Sequence, residues 1–215
     1  MLSSEAQAQA LVDLFKKGTT LNYKKGEYII RPGDPPRHVY YIEKGFVKAF
    51  NISKYGEENL LIIRRDQEVF PLIWSITGQE RHIIYQTLTA TTVLRISRED
   101  FQSFMTGPKK TLAPILDMVT EMYRIHSERL LNLQYRTVRE RLVSFLLTMA
   151  RRFGSNNGHG THIDVPLRHQ DIASSVNSTR ETISRELTKL EQKGIISNSQ
   201  GYISIKDMPK LKSYL

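Results

Sequence analysis

The spacing of apolar positions changes character twice along this chain. From Ser4 to Lys17, Leu11, Val12, Leu14 and Phe15 fall at helical steps and predict a short helix. From Leu21 to about Ile96, short β-rich runs such as Glu27–Ile30, Val39–Ile42, Phe46–Phe50, Asn59–Ile63, His82–Leu88 and Thr91–Ile96 alternate with turn signals. Many short strands at turn-limited spacing predict an all-β sandwich or barrel. After Ser97 the helical period returns. A short helix over Arg98–Met105 is expected to end near Gly107-Pro108, and a long one to run from about Thr111 to Tyr135. Its apolar positions include Leu112, Ile115, Leu116, Val119, Met122, Tyr123, Leu130 and Leu133, with His126 and Arg129 interrupting the seam. A stripe of about four heptads is too long for one small domain to cover, which points to a dimer helix.

The last third has a different organisation. Thr137-Val138-Arg139-Glu140 reads as a capping box that opens a helix burying Leu142, Phe145, Leu146 and Met149 and stopping at Gly154. A polar, Gly-rich loop over 154–160 and a short strand over Thr161–Val165 are expected next. Two helices then follow closely, about Arg168–Val176 and Ser178–Lys193, with Asn177 at the turn and Gly194 as the stop. Asn tolerates the left-handed backbone that a tight helix–helix turn needs. Ser178 and Glu181 have capping-box spacing, so Ser178 is the expected cap. On the second helix Ile183, Leu187 and Leu190 form one face, and Arg180, Glu181, Ser184, Arg185 and Thr188 the other. The hairpin pattern of Ile195–Ile205 directly afterwards reads as a wing.

This arrangement predicts a helix-turn-helix whose second helix enters the major groove of double-stranded DNA. Arg180, Glu181, Ser184 and Arg185 are the candidate base readers. Arg holds guanine O6 and N7 with two parallel hydrogen bonds, and Glu accepts from the N4 amine of cytosine. Charge sharpens the expectation. The 215 residues carry a formal net charge of +9. Residues 137–215 hold 12 basic and 7 acidic side chains, so more than half of that excess lies in about a third of the chain.

Composition narrows the alternatives. With no cysteine there is no disulfide, thiol catalysis or Cys-ligated cluster. No apolar run is long enough to span a membrane and the start has no secretory pattern, so a cytoplasmic protein without a membrane partner is expected. No Gly-rich phosphate loop and no G-x-S-x-G elbow occurs, and no enzymatic activity is expected. A cupin-like metalloenzyme would need clustered ligands, and His38 and His82 are isolated. His159, His162 and Asp164 beside the polar loop are a weak metal candidate, outweighed by solvated loop histidines. No metal and no cofactor are therefore expected.

Two stretches resemble the family of the cyclic-AMP receptor protein and the fumarate–nitrate regulator. One is Ser178-Thr179-Arg180-Glu181-Thr182-Ile183-Ser184-Arg185-Glu186-Leu187. The other runs from Tyr28-Ile29-Ile30 through Pro32-Gly33-Asp34 to Val39–Val47. The resemblance implies an α+β fold: a jelly-roll β-roll sensor domain like those that bind cyclic nucleotides (1–108), a dimerisation helix (109–136) and a winged helix-turn-helix (137–215). It implies a homodimer on a near-palindromic site with a TGA-like half-site core. His169, Gln170, Ser178, Thr179, Thr182, Lys189 and Ser199 become candidate contacts to the DNA backbone. RNA polymerase and an unidentified small-molecule effector are the further partners such a regulator could have.

The sensor half departs from the cyclic-nucleotide pattern. The Gly-Glu pair that binds ribose is replaced around Pro71-Leu72, and His82 stands where a hydroxyl would follow the phosphate-holding Arg81. Losing that carboxylate removes a charge-assisted hydrogen bond of roughly 1.5–3 kcal/mol, so independence from cyclic AMP is expected. Phe70, Leu72, Trp74, Arg81, His82 and Tyr85 form the candidate effector region, with Phe70, Trp74 and Tyr85 either lining an apolar pocket or filling the core of the roll. The alternatives are a cyclic-nucleotide-responsive regulator and a structural DNA-binding protein with a vestigial sensor domain.

Overall fold

A computed structural model describes residues 2–107, 112–156, 158 and 160–215. The chain opens with α1 (Glu5–Lys16), then β1 (Thr19–Tyr23), β2 (Tyr28–Ile30), β3 (Val39–Lys44), β4 (Val47–Ile52), β5 (Glu58–Arg64) and β6 (Val69–Phe70). Next come α2 (Leu72–Thr77), β7 (Ile84–Thr87), β8 (Thr91–Ile96), α3 (Arg98–Thr106) and α4 (Ala113–Tyr135). The last part holds α5 (Val138–Phe153), β9 (Gly154–Asn156), β10 (Thr161–Ile163), α6 (His169–Ser175), α7 (Arg180–Gln192), β11 (Ile196–Ser199), β12 (Tyr202–Ile205) and α8 (Met208–Lys212).

Contacts divide the chain into two compact units, Met1–Asn51 with Leu61–Tyr123, and Ile52–Leu60 with Arg124–Leu215. Both α4 and β5 run from one unit into the other.

The first unit is built on two antiparallel sheets, ordered β1-β8-β3-β6 and β2-β7-β4-β5. β3 carries buried side chains on both faces. Tyr40 stacks on Phe70 with ring centroids 5.2 Å apart. Tyr41 faces the other way and meets Phe15 of α1 at 5.3 Å. Strand alternation therefore feeds two packed layers from one strand. Leu11, Phe15, Val39, Tyr41, Val69, Leu72, Leu94, Ile96, Phe101 and Ile115 form one apolar cluster on the helical side. α1 starts as its sequence requires, because Ser4 and Gln7 make a reciprocal capping box.

α4 starts at Ala113, and the expected start at Thr111 and the Pro108 stop lie outside the described residues. Pro114 sits in its first turn, where an absent amide breaks no intrahelical bond. Arg129, which interrupts the seam, donates to the Leu60 carbonyl at 2.7 Å and to Asn59 Oδ1 and the Ser174 carbonyl at 3.0 Å.

The second unit is a helical core under a four-stranded sheet ordered β11-β12-β10-β9. The Thr137–Glu140 capping box opens α5 as expected. The stretch 154–160 is not all loop. β9 pairs antiparallel with β10, Gly154 opposite Ile163 and Asn156 opposite Thr161. The wing is the β11–β12 hairpin, closed by Gln200 at φ 52° and Gly201 at φ 86°. Two successive positive φ values match the twist of a two-residue hairpin turn.

Candidate nucleic-acid interface

α6 and α7 meet at a turn where Asn177 takes φ 50°, in the left-handed region, as its residue type predicts. The Ser178 amide donates to the Ala173 carbonyl at 3.0 Å and closes the turn. Ser178 does not cap α7. Thr179 does, its hydroxyl accepting from the Thr182 amide at 3.2 Å. The cap thus falls one residue later than the Ser178–Glu181 spacing suggests. Glu181 becomes the second helical residue, out of reach of a reciprocal cap, and is released from the competing role.

The two faces of α7 separate as expected. Ile183, Leu187 and Leu190 are buried. Arg180, Glu181 and Arg185 are exposed, and Ser184 is half-buried between them. Arg185 Nη2 leans back one turn onto Thr182 Oγ1 at 3.3 Å. The helix ends in a Schellman arrangement. The Gly194 amide donates to the Glu191 carbonyl at 2.9 Å, the Ile195 amide to the Leu190 carbonyl at 3.0 Å, and Gly194 takes φ 68°.

The candidate backbone contacts lie at the rim of this face. Gln170, Thr179, Lys189 and Ser199 are exposed, and His169, Ser178 and Thr182 are half-buried. His169 Nε2 lies 3.3 Å from Asn198 Nδ2, which ties the start of α6 to the wing. Lys189 Nζ donates to Glu186 Oε1 at 2.7 Å. Arg168 precedes α6 without capping it, its guanidinium forking instead onto both Asp171 oxygens at 2.8 Å.

Residues 140–214 match the Crp-like helix-turn-helix domain, and residues 20–107 the cyclic nucleotide-binding domain. The global nitrogen regulator of Nostoc sp. is 30% identical over 210 residues, 93% of each chain. The chain belongs to the CRP/FNR family of transcription regulators. Among other relatives of the family, the transcriptional activator protein anr of Pseudomonas aeruginosa is 26% identical over 202 residues, covering 94% of this chain and 82% of that one. The fold agrees. FixK2 from Bradyrhizobium japonicum superposes with a TM-score of 0.78 at 23% identity, over 91% of this chain and 96% of that one. The CRP/FNR family consists of transcription regulators, not enzymes. No helix among the described residues is long and apolar enough to cross a membrane.

The candidate effector residues do not form one group. Phe70 and Tyr85 are buried and stacked, with centroids 4.7 Å apart. Leu72 and Trp74 turn away with α2 into the cluster around Phe15 and Phe101. Arg81 and His82 are exposed on the segment before β7, and His82 takes φ 48°. Burial pushes the Tyr85 phenol up to about 12, with Arg64 and Arg81 acting in the opposite direction. His162 Nδ1 lies 2.9 Å from Ser204 Oγ and its ring stacks on Tyr202 at 5.8 Å. His159 lies outside the described residues. Among the described residues no group of three metal-ligating side chains occurs.

No motif assigns a joining role to the residues that hold the reading head together. Arg139 and Glu186 join α5 to α7, and Arg141 reaches the turn between α6 and α7. In the sequence they stand as ordinary helix-surface charges. Their only signal is position: Arg139 and Arg141 fall in the first turns of a helix that must pack on the reading unit.

Proposed function

We propose that this regulator acts as a homodimer that reads a near-palindromic site with a TGA-like half-site core, and that it does so without cyclic AMP. The observation that carries the proposal is the outward face of α7. Thr179 supplies the cap, so Arg180, Glu181, Ser184 and Arg185 are all left to present polar groups to a major groove. Glu181 and Arg185 stand one helical turn apart and are suited to the two bases of one G·C pair.

Dimerisation through α4 is supported by its exposed Leu116, Tyr123, Leu130, Leu131 and Tyr135. So much apolar surface on one helix is costly unless a second copy covers it. Independence from cyclic AMP is supported by the stretch around Pro71-Leu72, where the ribose-binding Gly-Glu pair is replaced and Leu72 is buried among apolar side chains.

The test is selection of bound DNA from a random pool, repeated with Glu181→Ala and Arg185→Ala. Each variant is expected to relax one base pair of the half-site and to cost about 1–3 kcal/mol. Binding of the selected site as tightly as by the parent would remove the assignment. Calorimetry with cyclic AMP is expected to show no micromolar binding, and sedimentation to show a dimer.

A further inference from the structure

The turn between α6 and α7 sets the direction in which the reading helix points, and one side chain from a different helix holds it. Arg141 lies in the first turns of α5 and is half-buried. Its Nε donates to the Val176 carbonyl at 2.8 Å and its Nη2 to the Asn177 carbonyl at 3.1 Å. Its Nη1 donates to the Arg136 carbonyl at 2.8 Å. Three donors of one planar fork thus bind three main-chain oxygens on two separate segments.

Each of these carbonyls is one that the local backbone leaves over. Val176 is the C-cap of α6, and Asn177 is the left-handed residue after it, so neither carbonyl continues a helical ladder. Helix C-termini carry partial negative charge, which favours a cation there. Arg136 lies between the end of α4 and the start of α5, and its own amide donates to the Asn132 carbonyl at 3.0 Å. One guanidinium therefore couples the last turn of α4 to the turn of the reading unit.

We infer that Arg141 is a positioning residue for base reading: it fixes the α6–α7 turn, and so the aim of Arg180, Glu181 and Arg185, against the end of α4. This inference rests on the proposed reading face. The physical reason is the steepness of hydrogen bonding with distance. Bidentate contacts to a base need heavy-atom separations within about 2.7–3.2 Å, and a turn free to relax would move the reading side chains out of that window. Contacts to phosphates are point-charge interactions and tolerate such movement. Loss of Arg141 should thus erode sequence discrimination and leave the electrostatic grip on DNA. Lysine cannot replace it, because an ammonium lacks the planar fork that spans three fixed carbonyls.

The test uses the full chain with Arg141→Lys, which keeps the charge, and Arg141→Met, which keeps the apolar stem. Two quantities are measured: affinity for the selected site and for random duplex at fixed salt, and hydrogen exchange of the Ser178 amide against amides in the middle of α5. Arg141→Lys is expected to weaken the selected site by about tenfold or more, roughly the cost of one misaligned bidentate contact. Random-duplex affinity should stay within about twofold, because the charge is kept. Ser178 exchange should quicken while α5 stays protected. Unchanged Ser178 exchange, or an equal loss of affinity on both DNAs, overturns the inference. So does loss of a cooperative unfolding transition in both variants, which would make Arg141 a stability residue only. If the parent selects no DNA sequence, the proposed reading face fails, whereas Ser178 exchange still decides whether Arg141 holds the turn.

Discussion

Arg139 Nε donates to Glu186 Oε2 at 2.6 Å, and this pair joins the first turn of α5 to the middle of the reading helix. Glu186 is mostly covered, its side chain 12% exposed, and it also accepts from Lys189 at 2.7 Å. One carboxylate thus fixes the rotation of α7 about its own axis. That rotation decides which side chains face outward, so an ion pair away from the reading face helps to define it.

The same pair sets an acid sensitivity. The hydrogen bond from Arg139 holds the Glu186 carboxyl below its ordinary value of 4.5, against the opposing effect of burial, and Lys189 adds to the lowering. A depressed folded value means that the unfolded chain binds the proton more readily. The stabilisation is present above about pH 4.5 and is lost as pH falls through the folded value. Glu186→Gln should lower the thermal midpoint by a few degrees at neutral pH and flatten the acid limb of the stability profile. Thermal melts at a series of pH values check both; an acid limb as steep as the parent's would assign it to other carboxylates.

The cap of α7 is Thr179, so the two neighbouring hydroxyls should respond differently. Thr179→Ala removes the acceptor for the Thr182 amide and should cost about 1 kcal/mol of unfolding free energy. Ser178→Ala should stay within about 0.5 kcal/mol, as for a side chain without a special role. Urea titrations of both variants separate the outcomes, and the reverse order would restore Ser178 as the cap.

The buried phenol of Tyr85 predicts an alkaline transition. Its folded value is raised from 10.0 to about 12. Its contribution is fully present below pH 10, and it is lost as pH rises towards the folded value. The slope approaches about 1.4 kcal/mol per pH unit within that window. Tyr85→Phe should make the alkaline limb shallower and should remove one late-ionising phenol from an ultraviolet titration in which Tyr23, Tyr40 and Tyr41 are raised as well. A phenol that titrates near pH 10 in the folded protein would contradict the burial.

The features legible in the sequence are those set by local backbone chemistry. The Thr137 capping box, the left-handed Asn177, the Gly194 stop and the Ile195–Ile205 hairpin each depend on a few adjacent residues. The apolar and polar faces of α7 follow from helical spacing alone. Other features depend on distant strands. β9 is three exposed residues with no alternation, and it is a strand because β10 lies beside it. α2 begins at Leu72, where the nucleotide-binding pattern is replaced, and the helix carries Leu72 and Trp74 away from Phe70.

The sequence by itself determined the family, the order of elements and the outward-facing residues of α7, because periodicity and turn chemistry act over a few residues. Tertiary structure decided which hydroxyl caps the helix, which of the candidate effector residues share a neighbourhood, and what Arg129, Arg139 and Arg141 hold. A charged side chain on a helix looks solvated in a linear sequence. Apart from the nearby Arg136 carbonyl, its partners here are carbonyl and carboxylate oxygens 35 to 70 residues away, and only the folded chain brings them within hydrogen-bonding distance.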